Sequence, residues 1–241
     1  MLPSSQGAFR LFRVFGIQVS LHWTWFLIAY YRFQTGKEAY QNPAWMLGEY
    51  VTLFGIVLLH EFGHSLACRS VGGSADRIIL WPFGGIAFVQ PPHRPGAFLW
   101  SIAAGPLVNV VLLPILFGIN YLAFHGNFVI NRDEALFLTM VFKINLALLV
   151  FNILPVYPLD GGQIFQSILW FFIGYAKSII VAAGLGLVVG VAVVGYAFLN
   201  SEWWLGLIAI FLISQSWRSF QNAREILKYE KEQRNSTVID I

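Results

Sequence analysis

The sequence predicts an all-α polytopic membrane protein of about six transmembrane helices with one small β-hairpin at the membrane edge. Three observations predict it. Of 241 residues, 57% are hydrophobic and only 11% are charged, whereas a water-soluble domain carries about 25% charged residues. The mean hydropathy is +0.66, and the apolar residues gather into runs long enough to cross a bilayer. One stretch breaks that pattern: ADRIILWPFGGIAFVQPPHRP, residues 75–95, has β-branched and aromatic residues on both sides of a Pro82/Gly84/Gly85 turn and reads as two short strands.

The length suits a single transmembrane domain over residues 1–241. A lone cysteine, Cys68, excludes an internal disulfide framework and a Cys-rich zinc site. Fifteen Lys and Arg against 12 Asp and Glu give a net charge of +3. In a membrane protein that excess reads as orientation and not as a nucleic-acid surface.

Taken in order, the spans fall at about 14–31, 45–68, 97–124, 135–154, 177–198 and 204–217, with a charged tail over 218–241. The first apolar run is read as a retained span and not a signal peptide, because IAYYRF offers no small-residue cleavage site. Within it, His22 and Trp23 read as an interfacial belt, and His93 likewise. The second span ends at Gly72, Gly73 and Ser74. The third contains AAGPLVNV with Gly105, Pro106 and Asn109, for which close helix packing is a sufficient reading. The fourth holds Lys143, Asn145 and Asn152. Asn145 and Asn152 share a face, while Lys143 points the other way, towards a partner carboxylate or an aqueous cavity. A short amphipathic helix, 164–175, precedes the fifth span.

With six spans both termini share a side. That side carries Arg10, Arg13, Arg69, Arg77, Arg94, Lys177 and the five basic residues of the tail, against Arg32, Lys37 and Arg132 opposite. The positive-inside rule then makes the termini cytoplasmic.

The second span carries LLHEFGHSLA, Leu58 to Ala67. Two histidines four apart on a helix stand on one face, so His60 and His64 can each give a ring nitrogen to one Zn²⁺. Glu61 beside them is suited to take a proton from water that the metal acidifies and pass it to a leaving amine. Ionisable side chains in a span are costly and mark function. The fourth span ends in FNILPVYPLDGGQIF. Pro155 and Pro158 cannot continue a helix, so the chain unwinds after Asn152 and presents Asp160 on irregular backbone. Followed by Gly161-Gly162, Asp160 is either an oxygen ligand with room for close approach or a simple loop aspartate.

HEFGH on one span and NILPVYPLDGG after another together resemble the site-2 protease family of intramembrane zinc metalloproteases. AAGPLVNV, PFGG and the early His-Trp pair extend the resemblance over residues 14–176. It looks closest to the compact, sporulation-type branch, with neither a PDZ domain nor a CBS pair. The resemblance implies one Zn²⁺ per chain on His60, His64 and Asp160, Glu61 as general base, and Asn152 as a residue that holds the substrate backbone. It also implies single-span membrane-protein substrates, among them anti-sigma or pro-sigma factors, and a bacterial cytoplasmic membrane. A helical peptide bond is shielded by its own hydrogen bonds, so the substrate must unwind. The strand around Gly85, Ile86 and Phe88 is suited to receive it by strand addition.

Two rival readings remain at this point. In a transporter or scaffold the same residues hold a structural ion, which needs a fourth ligand. Cys68 lies about 12 Å beyond His60 on one helix, too far to share that ion. The other rival is a membrane zinc hydrolase of different specificity, such as one for prenylated peptides, for which NILPVYPLDGG gives no comparable reason.

Overall fold

A computed structural model describes residues 7–35, 39–81, 84–126 and 129–239. The chain divides into two compact units, Met1–His93 with Ala103–Val150, and Arg94–Ile102 with Phe151–Ile241. Among the described residues, eleven elements run in the order β1 (Ala8–Val14), β2 (Ile17–His22), α1 (Trp25–Thr35), α2 (Pro43–Ser70), β3 (Ser74–Trp81), β4 (Gly84–Gln90), α3 (Pro95–His125), α4 (Arg132–Ile153), α5 (Asp160–Ile173), α6 (Tyr175–Leu199) and α7 (Trp203–Ile239).

The first unit corrects the all-α expectation, because it contains a four-stranded sheet in the order β1-β2-β3-β4. The hairpin predicted over residues 75–95 is present as β3 and β4, antiparallel and in register from Ser74↔Gln90 to Trp81↔Gly84. Pro82 of the expected turn lies outside the described residues. The span expected at 14–31 is overturned: that segment gives the end of β1, all of β2 and an 11-residue α1. The physical reason is a period of two. Ile17 and Val19 are wholly buried while Gln18 between them is half-exposed, and Phe15-Gly16, both at positive φ, make the two-residue turn that joins β1 to β2. β2 then pairs parallel with β3, which requires the long crossover through α1 and α2.

Ile17, Val19, Ile78 and Leu80, all 0% exposed, pack with Trp25 and with Val57 of α2. Burial of each such aliphatic side chain is worth about 1.5–3 kcal/mol, so apolar packing sets the place of the sheet on α2. Helix α2 starts where it does because the Asn42 side chain accepts the amide of Ala44 at 2.9 Å and Pro43 opens the first turn. Arg69, in its last turn, donates to the carbonyls of Phe15 and Ala75 and ties the helix end to the sheet. Cys68 is wholly buried against the carbonyl of Ser74.

Four helices are long and apolar enough to cross a membrane among the described residues: α2, α3, α4 and α6. They correspond to the second to fifth expected spans. The sixth, expected at 204–217, does not stand out, because α7 runs without interruption from Trp203 to Ile239 and joins that apolar segment to the charged tail. In the second unit, the short helix expected at 164–175 starts earlier, at Asp160. The Gln166 amide of α5 donates to the Ser178 hydroxyl of α6 at 3.2 Å.

The start of α4 is held by a buried carboxylate. Asp133, 5% exposed, accepts the backbone amides of Gln41 and Asn42 at 3.0 and 2.8 Å. Hydrogen bonds to a charged group are worth about 1.5–3 kcal/mol each. Asp133→Ala is expected to lower the thermal denaturation midpoint in detergent, with Asp133→Asn intermediate, because an amide can satisfy only one of the two donors.

Candidate metal centre

The site is built on the middle of α2, where His60, Glu61 and His64 are 3%, 5% and 6% exposed. The helix brings the two imidazoles together: their Nε2 atoms lie 3.1 Å apart and their rings stand nearly perpendicular, at 83°. Two nitrogens bound at 2.0–2.1 Å to one tetrahedral zinc would be separated by about 3.3 Å. The pair therefore fits a shared ion with almost no adjustment. Behind it, His60 Nδ1 meets Asn109 Oδ1 of α3 at 2.6 Å, Asn109 Nδ2 donates to Asn145 Oδ1 of α4 at 2.9 Å, and Asn145 Nδ2 donates to the Asn109 carbonyl at 3.0 Å. Both asparagines are wholly buried.

Glu61 follows His60 directly, so it is turned by about 100° from the histidine face. Its Oε2 accepts the backbone amide of Ala87 in β4 at 2.9 Å. That amide points away from β3, and amides alternate along a strand. Gly85 and Ala87 thus offer their backbone groups on the outer edge of β4, while Ile86 and Phe88 turn theirs towards β3. Close approach explains two of the glycines. A Cβ at Gly85 would overlap the Glu61 carboxylate, and one at Gly105 would overlap the His64 imidazole.

In the second unit, α4 ends at Ile153, one residue after Asn152, as the proline spacing predicts. Leu159 caps α5, and Asp160 is its first residue. The loop before it is held by its own unit: Gln163 Nε2 donates to the Pro158 carbonyl at 2.9 Å, and Ser216 of α7 donates to the Tyr157 carbonyl. Gly161 and Gly162 are required because a side chain at either would strike the backbone at Ile153 or Tyr157. Asn152 is half-buried in the last turn of α4. His22 is engaged elsewhere, with Nδ1 2.6 Å from the Thr24 hydroxyl, and Lys143 is exposed on α4.

Sequence reasoning passed over three features. Asn109 was read as a packing residue, the contact of Gly105 with His64 was not foreseen, and Ala87 was not singled out. An asparagine in an apolar span was the available signal for the first; nothing in the spacing names its partner.

Residues 127–194 match the model of peptidase family M50. The structure aligns with the site-2 protease from Methanocaldococcus jannaschii at a TM-score of 0.66 and 29% identity, covering 88% of this chain and 95% of that one. The chain carries a peptidase M50, or site-2 protease, domain. The chain is also 32% identical over 203 residues to a zinc metalloprotease of M. jannaschii, covering 84% of this chain and 58% of the relative. It is 31% identical over 239 residues to a putative zinc metalloprotease of Synechocystis, covering 89% and 60%. Stage IV sporulation protein FB of Bacillus subtilis is 33% identical over 111 residues, 45% of this chain and 36% of that protein. The chain thus spans about 60% of the length of the first two relatives.

The contact at Gly105 yields a direct test. Gly105→Ala is expected to push the His64 ring off its position and weaken divalent-metal uptake, measured by Co²⁺ absorption and elemental analysis of the purified protein. Gly118→Ala, on the same helix with nothing within 4 Å of the added atom, should leave uptake unchanged.

Proposed function

We propose that this chain is an intramembrane zinc metalloprotease that cleaves the membrane-spanning segments of single-span membrane proteins. The observation that carries the reading is the convergence of the His60 and His64 Nε2 atoms at 3.1 Å with the Glu61 carboxylate turned beside them. One zinc per chain takes His60, His64 and Asp160, two nitrogens and one oxygen, which leaves the fourth tetrahedral position open as a catalytic site requires. Support for Asp160 is its place in LDGG behind the proline-broken end of α4 and the family resemblance of that motif.

Bound zinc supplies Lewis acidity, which brings the pKa of water towards 7 and polarises the scissile carbonyl. Glu61 accepts the proton of the attacking water and delivers it to the leaving amine as the C–N bond breaks. Burial of Glu61 among apolar residues keeps bulk water from competing, and the Ala87 amide fixes the direction of its carboxylate. The unwound substrate adds as a strand to the outer edge of β4, on the backbone groups of Gly85 and the Ala87 carbonyl that Glu61 does not take, with Ile86 and Phe88 flanking it. Asn152 satisfies substrate backbone groups that the ladder leaves open.

The membrane is a bacterial cytoplasmic membrane in this reading; the eleven-to-three count of basic residues rests on six spans and gives no orientation once residues 14–31 form strands and a short helix. The substrate class in this reading is membrane-anchored anti-sigma or pro-sigma factors, as the family resemblance of the two motifs implies.

The deciding experiment co-expresses the wild type and Glu61→Gln with tagged single-span proteins. Glu61→Gln is expected to keep zinc and to lose about 10²–10⁴-fold in cleavage, since the amide cannot accept the proton. Asp160→Ala is expected to lose zinc. A Glu61→Gln protein that cuts at the wild-type rate, or an Asp160→Ala protein with full zinc and activity, overturns the assignment.

The strand edge generates a separate expectation. Ala87→Pro removes the amide that meets the buried Glu61 carboxylate without touching the β3 ladder, so it should slow cleavage and lower the melting midpoint modestly while zinc content holds. Ile86→Pro, which breaks a ladder bond, should lower the midpoint as well.

A further inference from the structure

The three-residue chain from α2 to α4 has only one consistent arrangement of its hydrogens. The Asn109 backbone carbonyl can only accept, so the Asn145 group facing it at 3.0 Å is the NH₂ and the Asn145 oxygen faces the other way. That oxygen can only accept, so the Asn109 group 2.9 Å from it is also an NH₂. The Asn109 Oδ1 is then left to face His60, and at 2.6 Å it can only accept a proton from Nδ1. A peptide carbonyl in α3 thus dictates, through two carboxamides, which nitrogen of His60 carries the proton. Its Nε2 lone pair is left facing His64 Nε2, 3.1 Å away.

We propose that Asn109 is a positioning residue for the metal, locked in one orientation by Asn145, and that it holds His60 as the Nδ1–H tautomer with Nε2 presented for ligation. The proposal rests on the reading of His60 and His64 as zinc ligands. Burial gives it force: Asn109 and Asn145 are both 0% exposed, so no water competes for His60 Nδ1 and no rotation of the amide finds another partner. Partners that orient a ligand histidine in this manner typically contribute about 10–100-fold to metal affinity or activity. The locking residue acts one bond further out. Without Asn145, the Asn109 amide can turn its NH₂ towards His60, which favours the wrong tautomer.

The test uses the full-length protein in detergent, loaded with zinc and challenged with a chelator, beside the same protein stripped of metal and labelled with ¹⁵N-histidine. Asn109→Ala is expected to lose zinc about 10–100-fold faster than the wild type, Asn145→Leu by a smaller factor, and Asn109→Asp, which still accepts from Nδ1–H but cannot donate to Asn145 Oδ1, to lose it more slowly than Asn109→Ala. In the stripped protein the His60 ring should give the Nδ1–H shift pattern in the wild type and in Asn109→Asp, and a mixture of tautomers in Asn109→Ala. A general loss of packing would lower the melting midpoint of all three variants without this ordering. Zinc loss at the wild-type rate in Asn109→Ala, or an unchanged tautomer, overturns the proposal. His60→Ala separates that failure from a failure of the ligand reading, which is lost if His60→Ala retains zinc as firmly as the wild type.

Discussion

An uncompensated polar group buried in an apolar interior costs about 2–7 kcal/mol, and the first unit places two imidazoles, a carboxylate and two carboxamides among apolar helices. Much of its architecture follows from meeting that constraint. The imidazole of His60 is answered from α3, the carboxamide of Asn109 from α4, and the carboxylate of Glu61 from an edge strand. Each of these partners sits on a different element, so the polar atoms of one motif reach two neighbours directly and a third through Asn109. Removing any one of them leaves a buried group unanswered, which costs more than the bond itself is worth. Such a network, fully satisfied, also selects one arrangement of the helices over others that would bury the same apolar area.

Close backbone approach is the second requirement, and it falls on residues without side chains. Gly63 lies against the Ala104 carbonyl, where an added Cβ would come within 2.6 Å, so α2 and α3 meet with almost nothing between them. Gly105 lets the Nε2 edge of the His64 ring come against α3, and Gly85 lets the Glu61 carboxylate lie on β4. The motif helix is thus pressed against its neighbours at its functional residues, and the position of each reactive atom depends on a missing methyl group.

These contacts explain how far the sequence could be read. His60 and His64 were legible because an i, i+4 pair is a property of one helix, and the unwinding after Asn152 because proline acts locally. The β3–β4 hairpin was legible from its turn residues. The sheet was not, since its first two strands lie in a run whose apolar content suited a span. The clue there was the alternation of Ile17, Val19 and Leu21 with Gln18, Ser20 and His22, together with Phe15-Gly16, and a window long enough to detect a span averages that alternation away. Asn109 was visible as a polar residue in an apolar helix, but its partner lies 49 residues earlier. A contact between faces of different helices leaves no periodic trace.

The helix alone also accounts for the division of roles between adjacent residues. Positions 60 and 64 stand one above the other, whereas position 61 is rotated by about 100°, so a side chain there cannot point along the same line. It needs a different partner, and β4 supplies one. What puts β4 within reach is the apolar packing of Ile78 and Leu80 with Val57, one turn before Glu61 on α2. Each of those aliphatic residues is buried to within a few per cent, and interiors so packed deform little. The direction of the Glu61 carboxylate is therefore set by hydrophobic contacts that touch neither it nor the histidines, and the separation of ligand from base is a property of how a sheet is seated on a helix.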